Sequence, residues 1–512
     1  MIRTAALLVS LSIASTSFAD IARGVVYEDM NRDGVRQTDE PGLEGVRVSN
    51  GRDVVRTDET GRYEIEAIES EAVFVIKPSG YALPLDELNK PQFSYVHSPK
   101  GSPRGLRYPG VEPTGELPES IDFALHANPE PDRFSVVLLG DPQPRNISEL
   151  EYFANDIIAD VNATDFAHDA AFVFSLGDIM FDTLSLFEPY DHFMSLLGKP
   201  VHNVHGNHDM NFDVADDTHA DATWLRRYGP ATYAFDYGKA HFIVLDNVVY
   251  EGDKDYHADL NDDQLAFIRN SLEHVPTDRL VVLAMHIPMP SVRRRAELFE
   301  ILAPYEHTFS MAAHWHRQIH FFMDSEDGWT SPEPHHHLVH VTGCGSWWAG
   351  AFDERGIPHA TMSDGQPNGW SLLTIDGSAY SIRFKAAGKP ANEQMAIHLP
   401  SAMPQADLSS TTLVVNAWAS NPRSTGEFRG GDGAWRPMAH TPQRDPGYLA
   451  LKLLEEQFPG EPGRELPRPR ESQSTWQAPM PDGLQPGPHM VEVRHTDMFG
   501  QVWTGQRALR VR

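Results

Sequence analysis

Six apolar runs of strand length in the middle of the chain restrict the possible folds most strongly. Their hydrophobicity is continuous rather than alternating, which is typical of strands that are covered on both faces. Helical patterns separate several of these runs, and alternating strands and helices predict a layered α/β domain over residues 132–390. The runs are Phe134–Leu139, Ala171–Leu176, Val201–His205, His241–Leu245, Leu280–Met285 and Phe309–Ala313.

Two helices are predicted within this domain. Ser148 and Glu151 match the pattern of a capping box at the start of the first helix. Asn261 and Gln264 match the same kind of start for the second helix. Apolar residues follow each pair at helical spacing, so each helix is expected to bury one face.

The flanking stretches have a different sequence pattern. Residues 20–126 and 405–512 contain short β-type runs that are punctuated by Gly, Pro, Asp and Asn, a pattern typical of antiparallel sheets. We therefore predict an N-terminal and a C-terminal all-β sandwich domain, joined to the centre by Pro/Gly-rich linkers. A chain of 512 residues is long enough for several such domains.

The first residues predict export. Arg3, an apolar stretch over residues 5–14 and the small residues around Ala19 match a secretory signal peptide over residues 1–19. No later apolar run approaches the length of a membrane span. Cys344 is the only cysteine, so neither an intrachain disulfide nor a cysteine-based metal site can form. We expect a secreted or periplasmic protein without a membrane span.

The formal net charge of -30 argues against a sequence-independent binder of nucleic acid or of anionic membranes, because such a protein needs a basic face. It does not exclude a phosphate substrate. Metal ions can reverse the sign of the potential inside a single cleft.

Polar side chains follow five of the six apolar runs directly. Carboxyl ends of strands meet at one edge of an α/β sheet, so these residues are expected to converge in one crevice. They offer nitrogen and oxygen but no sulfur, which suits Mn, Fe, Zn, Ni or Mg. The set is too large for one tetrahedral site and suits two metals about 3.5–4 Å apart. The residues are Asp141, Gln143, Asp178, Asn207, His208, Asp209, His286, His314 and His316.

In order and type these residues resemble the calcineurin-like metallophosphoesterase superfamily. Its pattern is D-x-[H/Q], G-D, G-N-H-[D/E], a lone His and [G]-H-x-H. The resemblance covers about residues 134–320 and implies a four-layer metallophosphoesterase β-sandwich flanked by helices. The matching segments are Asp141–Gln143, Gly177–Asp178, Gly206–Asp209, His286 and Ala313–His316.

The resemblance also implies a reaction and a role for each residue. A metal-bridging hydroxide would attack a phosphomonoester or phosphodiester, while His208 contacts the phosphate and protonates the leaving group, with Asp209 orienting its ring. Asp178 would bridge the two ions. The first ion would be held by Asp141, Gln143, Asp178 and His316, and the second by Asp178, Asn207, His286 and His314.

Two residues depart from the usual pattern. Many members carry His in place of Gln143 and Gly in place of Ala313. An amide oxygen is a harder ligand than an imidazole, so the identity of the metals stays open.

A possible structural calcium loop lies near the N-terminus. Asp29, Asn31, Asp33 and Glu40 fit the calcium-loop expression D-x-[DN]-x-[DN]-G-x5-E. Strand-like flanks make the segment similar to the B-type repeats of bacterial surface adhesins, which bind structural calcium. An Asp/Gly-rich turn is the alternative. The order of the three parts resembles a group of secreted bacterial calcineurin-like phosphoesterases with dedicated terminal domains.

Several other residues have competing interpretations. Trp347 and Trp348 could stack on a substrate from loops over the site, or could be core aromatics. Asp182 could support the metal ligands from behind, but it is interpreted as a loop or helix-cap residue. His335–His337 is expected in a solvated loop, and Cys344 as a small buried residue.

The substrate is expected to be a small-molecule or a glycan- or lipid-linked phosphate ester. The main alternative is a non-catalytic surface or carbohydrate-binding protein with a degenerate phosphoesterase domain. A nuclease is a third possibility, which the acidic composition disfavours. The preference for monoesters or diesters and the oligomeric state stay open.

Overall fold

A computed structural model describes residues 20–457 and 464–512. The predicted signal peptide over residues 1–19 lies outside the described residues. Across these two ranges no helix is both long enough and apolar enough to cross a membrane.

Two four-stranded sheets make up the N-terminal part. Their strand orders are β4-β1-β8-β6 and β3-β2-β5-β7. Neighbouring strands are antiparallel except β1 and β8, which pair in parallel. The strands are β1 (Ile21–Glu28), β2 (Arg47–Ser49), β3 (Val54–Arg56), β4 (Arg62–Glu66), β5 (Glu71–Ile76), β6 (Tyr81–Ala82), β7 (Ser94–His97) and β8 (Phe123–Ala127).

The central part contains two mixed sheets, one two-stranded antiparallel sheet and six α-helices, which confirms the α/β prediction. The strands are β9 (Arg133–Leu139), β10 (Phe172–Ser175), β11 (Val201–Asn203), β12 (Tyr233–Tyr237), β13 (Ala240–Val244), β14 (Val248–Gly252), β15 (Asp255–Ala258), β16 (Leu280–Ala284), β17 (His307–Ala312), β18 (Ile319–Met323), β19 (His335–Val339), β20 (Gly369–Asp376) and β21 (Ala379–Ala386). The helices are α1 (Ile147–Phe153), α2 (Ala159–Asn162), α3 (Phe187–Ser195), α4 (Ala222–Tyr228), α5 (Asp262–Leu272) and α6 (Arg295–Leu302).

The two central sheets have the orders β11-β10-β9-β20-β21 and β12-β13-β16-β17-β19-β18. Strands β9, β10 and β11 are parallel, as are β13, β16, β17 and β19. Aromatic side chains fill the space between the sheets: Phe172 and Phe174 of β10 pack against Phe235 and Phe242 with ring centroids 5.5–6.0 Å apart. The continuous apolar runs therefore mark strands buried on both faces.

The start of α1 differs from the prediction. Asn146, not Ser148, precedes the helix in extended conformation, and its side chain accepts a hydrogen bond from the Glu149 N–H at 3.0 Å. Asparagine is among the best N-cap residues, so it takes this position two residues earlier. The capping box of Asn261 and Gln264 at the start of α5 is confirmed.

The C-terminal part returns to strands. Its two main sheets have the orders β22-β24-β30-β27 and β23-β32-β31-β25-β26, and β28 pairs with β29. A separate apolar core lies between the main sheets. The elements are β22 (Met395–His398), β23 (Ala402–Met403), β24 (Thr412–Ala417), β25 (Thr425–Gly430), β26 (Arg436–Pro437), β27 (Ala439–His440), β28 (Gln443–Arg444), α7 (Pro446–Gln457), β29 (Glu471–Ser472), β30 (Thr475–Pro479), β31 (Gly487–Thr496) and β32 (Val502–Val511).

The prediction of a solvated loop at His335–His337 is wrong. The three histidines form part of β19, in the interior of the second central sheet, and all are buried. Their rings are satisfied by neighbouring side chains: His335 bonds to Thr308 and Ser310, and His336 bonds to the Tyr380 hydroxyl at 2.7 Å. Hydrogen bonds of this kind allow a polar run to occupy a buried strand.

A buried ion pair joins the N-terminal part to the centre. Arg47 of β2 donates to the Asp236 carboxylate at 2.6 Å and to the Ser271 carbonyl at 3.1 Å. His241 also bonds to Asp236, at 2.7 Å. Both partners of the pair are largely buried, so removing one leaves the other charged group uncompensated.

We expect Arg47→Met to lower the free energy of unfolding by about 3–5 kcal/mol, because the Asp236 charge stays buried without its main partner. The matched control is Arg23→Met, which breaks an exposed pair with Glu64 and should cost at most about 1 kcal/mol. Urea unfolding of both variants measures the difference. Equal shifts in the two midpoints would contradict this prediction.

Candidate metal centre

The predicted site residues lie in loops at the carboxyl ends of five strands. Asp141 and Gln143 follow β9, and Asp178 follows β10. Asn207, His208 and Asp209 follow β11, His286 follows β16, and His314 and His316 follow β17. Apart from His208 and His314, which are half-buried, all of these residues are buried.

Asp178 lies at the centre of the group. One carboxylate oxygen is 3.2 Å from His286 Nε2 and accepts the His208 backbone N–H at 2.9 Å. The other accepts a hydrogen bond from Gln143 Nε2 at 2.6 Å. One ligand atom each from Asp178, His286 and His314 lie within 4.8 Å of one another. This geometry suits a metal ion.

Two histidines have their proton positions set by backbone carbonyls. His286 Nδ1 donates to the Leu176 carbonyl at 2.8 Å, and His316 Nδ1 donates to the Gly345 carbonyl at 2.5 Å. Each Nε2 then points into the site. His286 Nε2 is 3.2 Å from Asn207 Oδ1, and His316 Nε2 is 3.3 Å from an Asp141 oxygen.

The charges of this group fit a divalent metal. Asp141 Oδ2 is buried without a hydrogen-bond partner, and burial raises the pKa of Asp141 to about 8. Burial lowers the pKa of His314 to about 3 and that of His316 to about 4, so both rings are neutral, as metal ligation requires. An orphaned carboxylate oxygen beside neutral imidazoles is a donor set that a cation completes.

His286 shows how strongly the site attracts positive charge. Burial alone would lower its pKa, but the carboxylates of Asp178 and Asp141 outweigh burial and raise the value to about 10. Two buried carboxylates therefore dominate the local potential.

Left-handed backbone conformations are concentrated at this site. The φ angles are 30° at Asp141, 41° at Gln143, 49° at Asp178, 65° at His314 and 50° at His316. For a residue other than glycine, the left-handed conformation costs roughly 1–2 kcal/mol relative to the right-handed one. Such strain is retained where the backbone must aim functional side chains at one point.

Gln143 is beside Asp178, as expected for a ligand, but presents its amide nitrogen to the carboxylate. An amide binds metals through oxygen, so ligation by Gln143 requires its amide to turn over. Cys344 is buried next to it, with Sγ 3.8 Å from Gln143 Oε1. The prediction of a small buried cysteine is confirmed.

The structure assigns the orientation of the His208 ring to Asp182 rather than to Asp209. His208 Nδ1 bonds to Asp182 Oδ1 at 2.6 Å. Asp209 instead accepts the backbone N–H groups of Ile179, Met180 and Gly206 at 2.9–3.1 Å. Its carboxylate therefore ties two ligand loops together. The orienting role expected of Asp209 is wrong. Asp182 lies in a loop, as expected, and also contacts the site through His208.

Phe181 and two carboxylates define the surroundings of His208. The Phe181 ring stacks on the imidazole with centroids 4.3 Å apart. Burial opposes protonation of His208, but the charges of Asp178 and Asp182 outweigh it and raise its pKa. Lys254 donates to the second Asp182 oxygen at 2.8 Å.

The two tryptophans differ in position. Trp348 is buried and donates its indole N–H to the Pro142 carbonyl at 3.0 Å, so the interpretation of Trp348 as a substrate contact is wrong. Trp347 is half-buried, and its ring lies 4.2 Å from that of His316. It remains at the edge of the site.

The residues of the predicted calcium loop lie far from this centre in the sequence. Asp29 accepts the N–H groups of Arg32 and Gly34, and the Glu40 carboxylate accepts those of Met30 and Gln37. Asn31 and Asp33 bond to each other at 3.0 Å. Within residues 20–457 and 464–512, Asp178, His286 and His314 are the one set of three His, Cys, Asp or Glu side chains whose ligand atoms lie within 4.8 Å of one another. Calcium binding by the loop stays a prediction, with an Asp/Gly-rich turn as the alternative.

Comparison with known families agrees with this geometry. Residues 134–318 match the family model for calcineurin-like phosphoesterase. The chain carries a calcineurin-like phosphoesterase domain. Residues 30–108 match the model for the N terminal of calcineurin-like phosphoesterase, and residues 337–503 match that for its C terminal. These matches support a hydrolase that acts on phosphate esters and binds metal.

Two solved structures show weak overall similarity to this phosphoesterase. One is purple acid phosphatase PPD1 isolated from seeds of yellow lupin (Lupinus luteus), at 13% identity over 67% of this chain and 66% of that chain, with a TM-score of 0.37. The other is PhoD, at 12% identity over 73% of this chain and 90% of that chain, with a TM-score of 0.36. No curated protein matches the chain.

We expect Gly206→Ala to weaken metal binding by at least about tenfold, since ligand geometry must hold to a few tenths of an ångström. A methyl group at Gly206 would lie 2.1 Å from the Asp178 backbone nitrogen and 2.4 Å from its carboxylate. Metal content after dialysis against a graded chelator measures the effect. Gly483→Ala is the control, since nothing lies within 4 Å of the added methyl group. Equal metal retention by both variants would contradict the prediction.

Proposed function

We propose that this protein is an exported, metal-dependent phosphoesterase that hydrolyses a phosphomonoester or phosphodiester. The observation that carries the proposal is the convergence of side chains from five strand ends around Asp178, beside the oriented ring of His208. Two divalent ions are proposed. When bound, they would activate water and neutralise the charge of the phosphoryl group.

The chain would hold these ions with the residues already described. Asp141, Gln143, Asp178 and His316 are proposed to hold one ion, and Asp178, Asn207, His286 and His314 the other. Hydrogen bonds at 2.5–2.8 Å from the histidine Nδ1 atoms to backbone carbonyls fix two rings before binding. Such preorganisation reduces the reorganisation needed when the substrate arrives.

His208 is proposed as the proton donor to the leaving group. Because the Asp182 carboxylate accepts at Nδ1, the ring must carry its second proton at Nε2, which faces away from Asp182. Donation from Nε2 avoids expulsion of an unprotonated alkoxide. Asp182 acts as a positioning residue through the ring, and Lys254 holds Asp182 in turn.

The first test is an assay of the mature protein after removal of metals and reloading with Mn²⁺. The substrates are p-nitrophenyl phosphate and bis-p-nitrophenyl phosphate in parallel. Turnover of either substrate supports the proposal, and their ratio gives the ester class. Asp178→Asn should abolish both metal retention and turnover, because it removes the central charge. If the protein shows neither turnover nor bound metal, the result would favour the alternative of a non-catalytic binding protein.

We expect His208→Ala to reduce kcat about 10²–10⁴-fold on an alkyl phosphate, the range typical of a lost general acid. The loss should be much smaller on p-nitrophenyl phosphate, whose leaving group needs no proton. Asp182→Asn should show the same dependence on the leaving group with a smaller amplitude, and Asp182→Glu should restore part of it. A uniform loss on both substrates would contradict the assignment of a proton donor.

Export and the roles of the flanking parts complete the proposal. Support for export comes from the signal-like sequence of residues 1–19. Support for an accessory role of the terminal β-sandwiches comes from their own sheets at both ends. Fractionation of cells that express the full chain tests the first point. Recovery of the protein in the cytoplasm with residues 1–19 intact would count against export.

A further inference from the structure

The strongest unassigned feature lies at the rim of the metal centre, where two arginines approach the same aromatic ring. The guanidinium carbons of Arg145 and Arg464 both lie 5.9 Å from the centroid of Phe181. Phe181 in turn stacks on the His208 imidazole at 4.3 Å. Both positive charges are therefore close to the proposed proton donor.

The two arginines come from distant parts of the chain. Arg145 precedes α1 in the central part, whereas Arg464 lies in the C-terminal part between α7 and β29. Backbone pairing fixes Arg464 in place: the Gly350 N–H donates to the Arg464 carbonyl at 2.9 Å, and Arg464 Nη1 donates to the Trp347 carbonyl at 3.0 Å. Trp347 packs on His316. The C-terminal part thus contacts Trp347, which in turn packs on the predicted metal ligand His316.

The two arginines of this rim differ in their polar contacts. Glu149 forms an ion pair with Arg145 and accepts from its backbone N–H as well. Arg464 donates to the Trp347 carbonyl, and Glu149 is the carboxylate that acts on its charge. Burial, followed by the nearby charge of Arg145, lowers the pKa of Arg464. The positive charges of Arg145 and Arg464 lie near each other at this rim, which favours an anion.

We propose that Arg145 and Arg464 form a second anion subsite beside the metal centre, which binds a negatively charged group on the substrate other than the phosphate that is cleaved. The inference rests on the proposed function and makes it more specific. The substrate class is a phosphate ester that carries a second phosphate or carboxylate group. Arginine suits this task because its planar donors match the geometry of either group.

A purely structural role for Arg464 makes a different prediction. If it only held the Trp347 loop in place, its removal would disturb every ligand of the metal centre to the same extent. An anion subsite affects only ligands with a second charge. A pair of ligands that differ in that charge alone separates the two roles.

The test measures binding by calorimetry to the protein loaded with Mn²⁺, with butylphosphonate and 4-phosphonobutyrate as ligands. The carboxylate of the second ligand should tighten its binding about tenfold, the usual scale of one charge-assisted hydrogen bond. Arg464→Ala should abolish this difference and leave butylphosphonate affinity within about twofold. Arg464→Lys should retain part of the difference, since it keeps the charge without the planar donors.

Arg468→Ala is the matched control, because Arg468 belongs to the same segment but is exposed. It should leave the affinities for both ligands unchanged. Equal binding of the two ligands by the wild-type protein would overturn the subsite, as would a parallel loss of both in Arg464→Ala. If neither ligand binds the metal-loaded wild-type protein, the proposed function itself fails, and the subsite fails with it.

Discussion

Asp141 and Asp178 are buried together at the carboxyl edge of one sheet, and much of the surrounding structure is arranged to accommodate them. Burial opposes the ionisation of both, and the charges of His286 and His208 offset it at Asp178, whose pKa is lowered, so the pair requires positive charge nearby. The His286 and His316 rings are turned so that their free nitrogens face these carboxylates. The left-handed backbone at five site residues serves the same arrangement, since it aims side chains from separate loops at one point.

The neighbouring parts extend this arrangement outward. Asp209 fastens two ligand loops through backbone N–H groups, and Tyr108 of the N-terminal part donates to the Asp182 carbonyl at 3.3 Å. Arg464 of the C-terminal part donates to the carbonyl of Trp347, whose ring packs on His316. All three parts of the chain therefore contact loops of the metal centre. The rim of the site is therefore formed by residues that are far apart in the sequence.

The sequence predicted the central sheets and the set of converging side chains, because both leave local signals. Continuous apolar runs end in polar residues, and each run became a buried strand. The contact of Asp182 with His208 was not predicted because His208 lies in another loop, and no local pattern reveals such a pairing. His335–His337 was misassigned because polar composition usually indicates exposure, whereas side chains from β17 and β21 satisfy these rings. Arg464 gave no signal because its position depends on tertiary packing.

The row of buried histidines in the second central sheet has a consequence for the range of conditions in which the protein can exist. Burial lowers the pKa of His335 to about 3 and that of His320 to about 4, so these rings stay neutral in the folded chain and become protonated once it unfolds near neutral pH or below. A base with a lowered folded pKa leaves stability unaffected above about pH 6.5 and subtracts from it as the pH falls, by up to roughly 1.4 kcal/mol per pH unit for each ring. The buried histidines of the central part thereby set a lower pH limit for the stability of the folded enzyme, independently of the titration of its active site.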